Sequence, residues 1–168
     1  MKPYLRRVLF LNMIVLLSAS LFFVSCNKDE TTTGPNSGST GTGSTYLTFK
    51  VNGVVTDLSK SATGYYSTSS SSPGTYITSS PSGFTHPEID LGFSGKTTGT
   101  FTETTGGWLD YTDANNVDYY YSPYTCTITV TQYGNVGGYI AGTFTATKYS
   151  SSSTATITEG KFSVIRTY

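Results

Sequence analysis

From Thr125 to Thr131 the chain reads Thr-Cys-Thr-Ile-Thr-Val-Thr, with every even position apolar and every odd one threonine. A period of two fits a β-strand with one face on a core and the other in water, and it fits no helix. The same alternation recurs at Leu47, Phe49 and Val51, and again at Ile89, Leu91 and Phe93. Fourteen Tyr and nine Phe, with abundant Thr, are residues that suit a pleated, half-buried surface. No stretch shows helical periodicity of useful length.

Turn residues divide these strands. Asn52-Gly53 sits between two apolar alternations and predicts a tight hairpin returning through Val54 to Leu58. Tyr65-Tyr66 and Tyr76-Ile77 flank a Ser-Ser-Pro-Gly turn at 71–74, which predicts a second, longer hairpin over 64–80. Gly99 to Glu103 reads as a single strand. Trp108 to Thr112 and Val117 to Tyr121 form a third hairpin, and Tyr124 to Tyr133 with Gly138 to Lys148 a fourth. In the last segment Ala155 and Ile157 are odd while Phe162 and Val164 are even, so the strand needs one extra residue. A bulge at Gly160 supplies it; a true turn at Glu159-Gly160 is the alternative. The expectation is an all-β fold of about eight to ten antiparallel strands, a sandwich or a small barrel, and the sequence does not choose between them.

The N-terminus has a different character. Lys2, Arg6 and Arg7 precede an apolar run from Val8 to Val24, and small Ser25 precedes Cys26. That is the plan of a secretory leader, and Phe23-Val24-Ser25-Cys26 resembles a lipobox, with Phe23 where Leu is usual. Residues 1–25 are therefore expected to be a lipoprotein signal, and Cys26 the lipidated first residue of the mature chain. A membrane-spanning helix is the alternative, since the run of 17 residues meets the lower limit of roughly 17–25. Asn27-Lys28-Asp29-Glu30 is similar to the surface-export signal of Bacteroidota lipoproteins, which implies an outer-membrane protein facing outwards. Residues 26–44 carry no large apolar side chain and are expected to be a disordered linker. The 18 residues from Asn27 to Ser44 would span roughly 20–25 Å. The all-β domain is then 45–168.

Without the leader, Lys plus Arg falls from 10 to 7 while Asp plus Glu stays at 10. An excess of three acids argues against nucleic acid or an anionic lipid face as partner, because both need a basic footprint. Cys126 shares its face with Ile128 and Val130 and is expected to be inert core.

Three phrases carry a resemblance. Phe49-Lys50-Val51-Asn52-Gly53, Ile140 to Ala146 and Ile157 to Val164 are similar to an uncharacterised domain family of Bacteroidota lipoproteins. In that family a Gly-Thr-Phe strand and a Gly-x-Phe final strand recur behind a lipobox and a polar tether. The resemblance implies a fold and an anchored location, and no chemistry.

Candidate sites are few. The chain has one histidine, His86, and lacks a nucleophile elbow, a His-Glu-x-x-His motif and a phosphate loop. His86, Glu88 and Asp90 share the outer face of one strand, where a solvated surface is the simpler reading. Asp110, Asp113, Asn115, Asn116 and Asp118 are the better metal candidates, since calcium takes six to eight oxygens. Asp and Asn also populate turns on their own account, and the spacing matches no calcium loop, so no cofactor is expected and calcium is the alternative. Trp108, Tyr111, Tyr119, Tyr120 and Tyr121, with Tyr124, are candidates for a platform that stacks on sugar rings. The expected role is non-enzymatic binding of a glycan or protein outside the cell. A structural envelope component is one alternative. A small glycosidase-like hydrolase, drawing two acids from Glu88, Asp90, Glu103, Asp110 and Asp118, is the other.

Overall fold

The computed structural model describes residues 43–69, 73–80 and 86–168. The leader 1–25, Cys26 and the linker up to residue 42 lie outside the described residues, as does the tip of the second hairpin at 70–72. Within the compact unit Ser37–Tyr168 the described residues form eleven strands. They are β1 (Tyr46–Val51), β2 (Val54–Asp57), β3 (Thr63–Ser67), β4 (Gly74–Thr78), β5 (Glu88–Ser94), β6 (Gly99–Thr102), β7 (Gly107–Thr112), β8 (Asp118–Tyr119), β9 (Tyr121–Tyr133), β10 (Tyr139–Tyr149) and β11 (Thr154–Ile165). One short 3-10 turn, Glu103–Thr105, links β6 to β7. The strands make a six-stranded sheet ordered β2-β1-β11-β10-β9-β6 and a five-stranded sheet ordered β3-β4-β5-β7-β8. Neither closes into a barrel, so the open choice resolves as a β-sandwich.

The alternations do what their period requires. Leu47, Phe49, Ile128, Phe144, Ile157 and Phe162 of the larger sheet meet Ile77, Ile89, Leu91, Phe93 and Leu109 of the smaller one in a single buried cluster. Burial of these side chains at ~25 cal/mol per Å2 is the main favourable contribution to the fold. Cys126 belongs to the same cluster. The odd-numbered threonines of β9 lie on the opposite face, where Thr129 pairs across strands with Thr100 and Thr143. Thr75 is buried but satisfied: its hydroxyl donates to Gly95 O at 2.7 Å and shares a hydrogen bond with Tyr133 Oη at 2.8 Å.

All four hairpins form, with two differences from expectation. The third is interrupted. Its return strand β8 has two residues, and at Tyr120 the chain leaves the five-stranded sheet for the six-stranded one. The Tyr119-Tyr120-Tyr121 run is therefore a crossing between sheets. The extra residue near the C-terminus is a bulge within one strand, β11, but its left-handed position is Glu159 (φ 53), not Gly160. Gly160 is required for a different reason: a Cβ there would stand 2.5 Å from Phe144 O.

Past β11 the chain crosses to the edge of the other sheet. Arg166 bridges Gly64 in parallel, Thr167 N donates to Gly64 O at 2.8 Å, and Tyr66 N donates to Tyr168 O at 2.9 Å. The tail thus covers part of the backbone edge that β3 would otherwise expose.

Candidate functional site

The outer face of the five-stranded sheet carries chemistry in register. Odd positions of β3 and even positions of β4, β5 and β7 point away from the core, and cross-strand pairing aligns them. One row runs Tyr65, Tyr76, Gly92, Trp108. The next runs Thr63, Thr78, Asp90, Asp110. A third holds Glu88, Thr112 and Asp118.

In the first row the aromatic rings touch in series. Tyr168 from the tail stacks on Tyr65 at 5.2 Å between centroids. Tyr65 stacks on Tyr76 at 5.3 Å, their planes only 9° apart. Tyr76 meets Trp108 at 5.3 Å and 57°. Parallel rings this close overlap face to face, since two rings lying side by side in one plane would collide. The tyrosines therefore cover one another's faces and present edges and hydroxyls. Trp108 differs, because its indole rests across Gly92, where a Cβ would lie 2.5 Å from Cε2. The absent side chain on β5 is what lets an indole lie down on the sheet.

Beside Trp108 is an open groove of about 280 Å3 lined by Tyr76, Phe93, Glu103, Gly107, Trp108 and Tyr124, among others. Glu103 is fixed by accepting the Cys126 backbone N–H. Tyr124 is fixed by Lys148, a buried lysine whose Nζ lies 3.8 Å above its ring and 3.2 Å from Asp110 Oδ1. Burial pushes the Tyr124 hydroxyl above its usual pKa, with the Cys126 thiol adding to the effect.

At the Tyr168 end of the ring series is a larger groove of about 620 Å3, lined by Thr63, Tyr65, Thr78, Ser80, Asp90 and Tyr168 together with Thr167. Burial raises the Asp90 carboxyl above the ordinary range, and the Asp110 charge raises it further, while hydrogen bonds from Thr78 and Glu88 act the other way. Asp90 Oδ1 is buried and has no hydrogen-bond partner. Glu88 is raised too, by burial first and the Asp90 charge second, with His86 opposing.

The expected site residues separate. Trp108 and Tyr124 line a groove. Tyr111 and Tyr119 are 6 % and 8 % exposed and pack into the core, so their rings face no solvent. Tyr120 and Tyr121 are 59 % and 44 % exposed and stack on each other at 4.7 Å, at the crossing between sheets. Tyr65, Tyr76 and Tyr168 complete the row, and sequence reasoning did not select them for binding. The acidic hairpin is satisfied locally. Asp113 Oδ1 accepts the N–H groups of Asn115 and Val117, each at 2.9 Å, and Asn116 takes a left-handed φ of 62°. Asp118 Oδ1 accepts from Thr112 Oγ1 at 2.7 Å, and Asp110 pairs with Lys148. Among the described residues no three of His, Cys, Asp and Glu are grouped to hold a metal ion. Compared with known proteins, the chain matches no family model, no curated protein and no solved structure.

Proposed function

We propose that the domain is a non-enzymatic glycan-binding module, held at the outer membrane by a lipid on Cys26 and facing outwards. The observation that carries the reading is Trp108, laid across Gly92 on a solvent-facing sheet and bordered by Tyr124 and Glu103. An indole fixed in this way offers an apolar surface to the C–H face of a sugar, while a neighbouring carboxylate accepts its hydroxyls. The groove beside Trp108 is lined by one carboxylate, Glu103, which is tied to the Cys126 backbone N–H. Glycoside hydrolysis uses a pair of acids flanking the bond, so at this groove binding without cleavage is the better match.

Trp108 is the only tryptophan, and its fluorescence reports on this site alone. The unit Ser37–Tyr168 holds its whole hydrophobic cluster and is suited to a glycan array. The expected result is a set of hits that quench or blue-shift Trp108 emission and vanish in Trp108→Ala, with or without a calcium chelator. An array without hits sinks the reading. For the anchor, Cys26→Ala is expected to release the protein from the membrane fraction; a variant that stays there with unchanged mobility contradicts lipidation.

A further inference from the structure

We infer that Lys148 and Asp110 condense to an amide that ties the two sheets together covalently, with Glu103 carrying the proton. The tie is independent of glycan binding. The alternation of β10 asks for an apolar side chain at 148, since Phe144 and Ala146 on the same face are buried, yet the residue is a lysine only 1 % exposed. An ammonium is costly to take out of water unless it is paired. Lys148 belongs to the six-stranded sheet, and its Nζ reaches Asp110 Oδ1 on β7 of the five-stranded sheet at 3.2 Å. It can do so because β8 flanks β7 only at Tyr111 and Thr112, which leaves β7 open on that side at Asp110. The carboxyl carbon is bonded to that oxygen, so nitrogen and carbon are held near the ~3–3.5 Å separation of reacting atoms. Tyr124 covers the amine, with its ring centroid 3.8 Å from Nζ.

A third ionisable group stands beside the pair. Glu103 is anchored by the Cys126 N–H, and Cys126 lies opposite Ala146 on β10. Burial acts most on the Cys126 thiol, and the charges of Glu103, Lys148 and Asp110 all reach it as well. The Glu103 carboxylate takes a proton from the Lys148 ammonium, and the freed amine attacks Asp110 Cγ. A C–N bond forms and a C–O bond breaks. The departing oxygen leaves as water, with the proton returned by Glu103 and a second from the nitrogen. One ammonium and one carboxylate thus become a neutral amide and water, and nothing is oxidised or reduced. In bulk water this condensation runs backwards, but groups held in contact reach effective concentrations of roughly 10⁵–10⁸ M, above that of water itself. The product also removes a buried charge. Lys50 and Glu159 make a shorter contact, 2.7 Å, but Lys50 is 34 % exposed, so water competes there. Among the described residues Cys126 is the one cysteine, so no disulfide joins these sheets.

Mass spectrometry of the Ser37–Tyr168 unit, which holds the whole hydrophobic cluster, tests this. The denatured protein is expected to be lighter than its sequence by one water. A chymotryptic digest, which cuts the chain between the two residues, should contain the segments around Asp110 and Lys148 as one joined species. Lys148→Arg, which retains the charge, and Asp110→Ala, at a side chain 64 % exposed, should both show the full sequence mass. Glu103→Gln should leave most of the protein unjoined. Wild type at its full sequence mass overturns the inference. So does a missing water when the digest yields the two segments apart, because an aspartate can also lose water to its own backbone. Glu103→Gln joined as completely as wild type overturns the role given to Glu103. Should a variant fail to fold, the wild-type digest decides by itself.

Discussion

A methyl group at Gly92 would stand 2.5 Å from Trp108 Cε2, a separation that no relaxed pair of carbons tolerates. Gly92→Ala is therefore expected to lift the indole off the sheet. The consequences are a red shift of the sole tryptophan's emission, loss of glycan affinity by tenfold or more, and destabilisation of about 1–2 kcal/mol from overpacking. Titrations with an array hit and a denaturant curve check both effects. Two other residues set a pH limit. Burial pushes the Cys126 thiol up to about 11 and the Tyr111 hydroxyl to about 12, from ordinary values of 9.0 and 10.0. Both folded values are raised, so the stability they contribute is fully present below the ordinary values and is lost as pH climbs through the folded ones. The denaturation midpoint should hold from pH 7 to about 8.5 and then fall between about 9 and 12. In the pair Cys126→Ala and Tyr111→Phe that alkaline slope should be shallower, whatever the variant's stability at neutral pH.

The bulge in β11 is the element on which the larger sheet's register turns. Between Thr158 and Lys161 the strand carries one residue more than either neighbour, which keeps Ile157 and Phe162 both facing the core. Glu159 takes the left-handed position, at a cost of about 1 kcal/mol for a residue with a Cβ. It also forms an ion pair with Lys50 at 2.7 Å, an exposed contact worth about 0.2–1 kcal/mol. The two effects nearly cancel, so Glu159→Gly should lie within about 0.5 kcal/mol of wild type. Glu159→Val, which loses the pair and places a β-branched residue at positive φ, should cost about 1–2 kcal/mol. Denaturant midpoints distinguish them. A Val variant as stable as wild type would show that the strand does not need this conformation.

For the molecule as a whole, the two sheets are joined at one edge by the tail. A chain ending at Arg166 loses the hydrogen bonds of Thr167 to Gly64 and of Tyr66 to Tyr168, and with them the outermost ring of the series. At about 0.5–1.5 kcal/mol per hydrogen bond the expected cost is about 1–3 kcal/mol. Faster amide exchange at Tyr66 should accompany it. Much of this architecture was legible in the sequence, because period-two patterns and turn residues act locally: the Asn52-Gly53 hairpin, the Cys126 face and the parity change before Phe162 needed only their neighbours. The site was less legible. Tyr65, Gly92 and Trp108 are far apart along the chain, and only strand order brings them into one row. Tyr111 and Trp108 look equivalent until the parity of β7 sends one inward and the other outward. Tyr168 belongs to the row through a crossing that no periodicity marks. That crossing has a practical side: whatever is joined after Tyr168, whether purification tag, fluorescent fusion or solid support, sets out from the mouth of the larger groove. Immobilising the protein by that end would mask the face to be assayed.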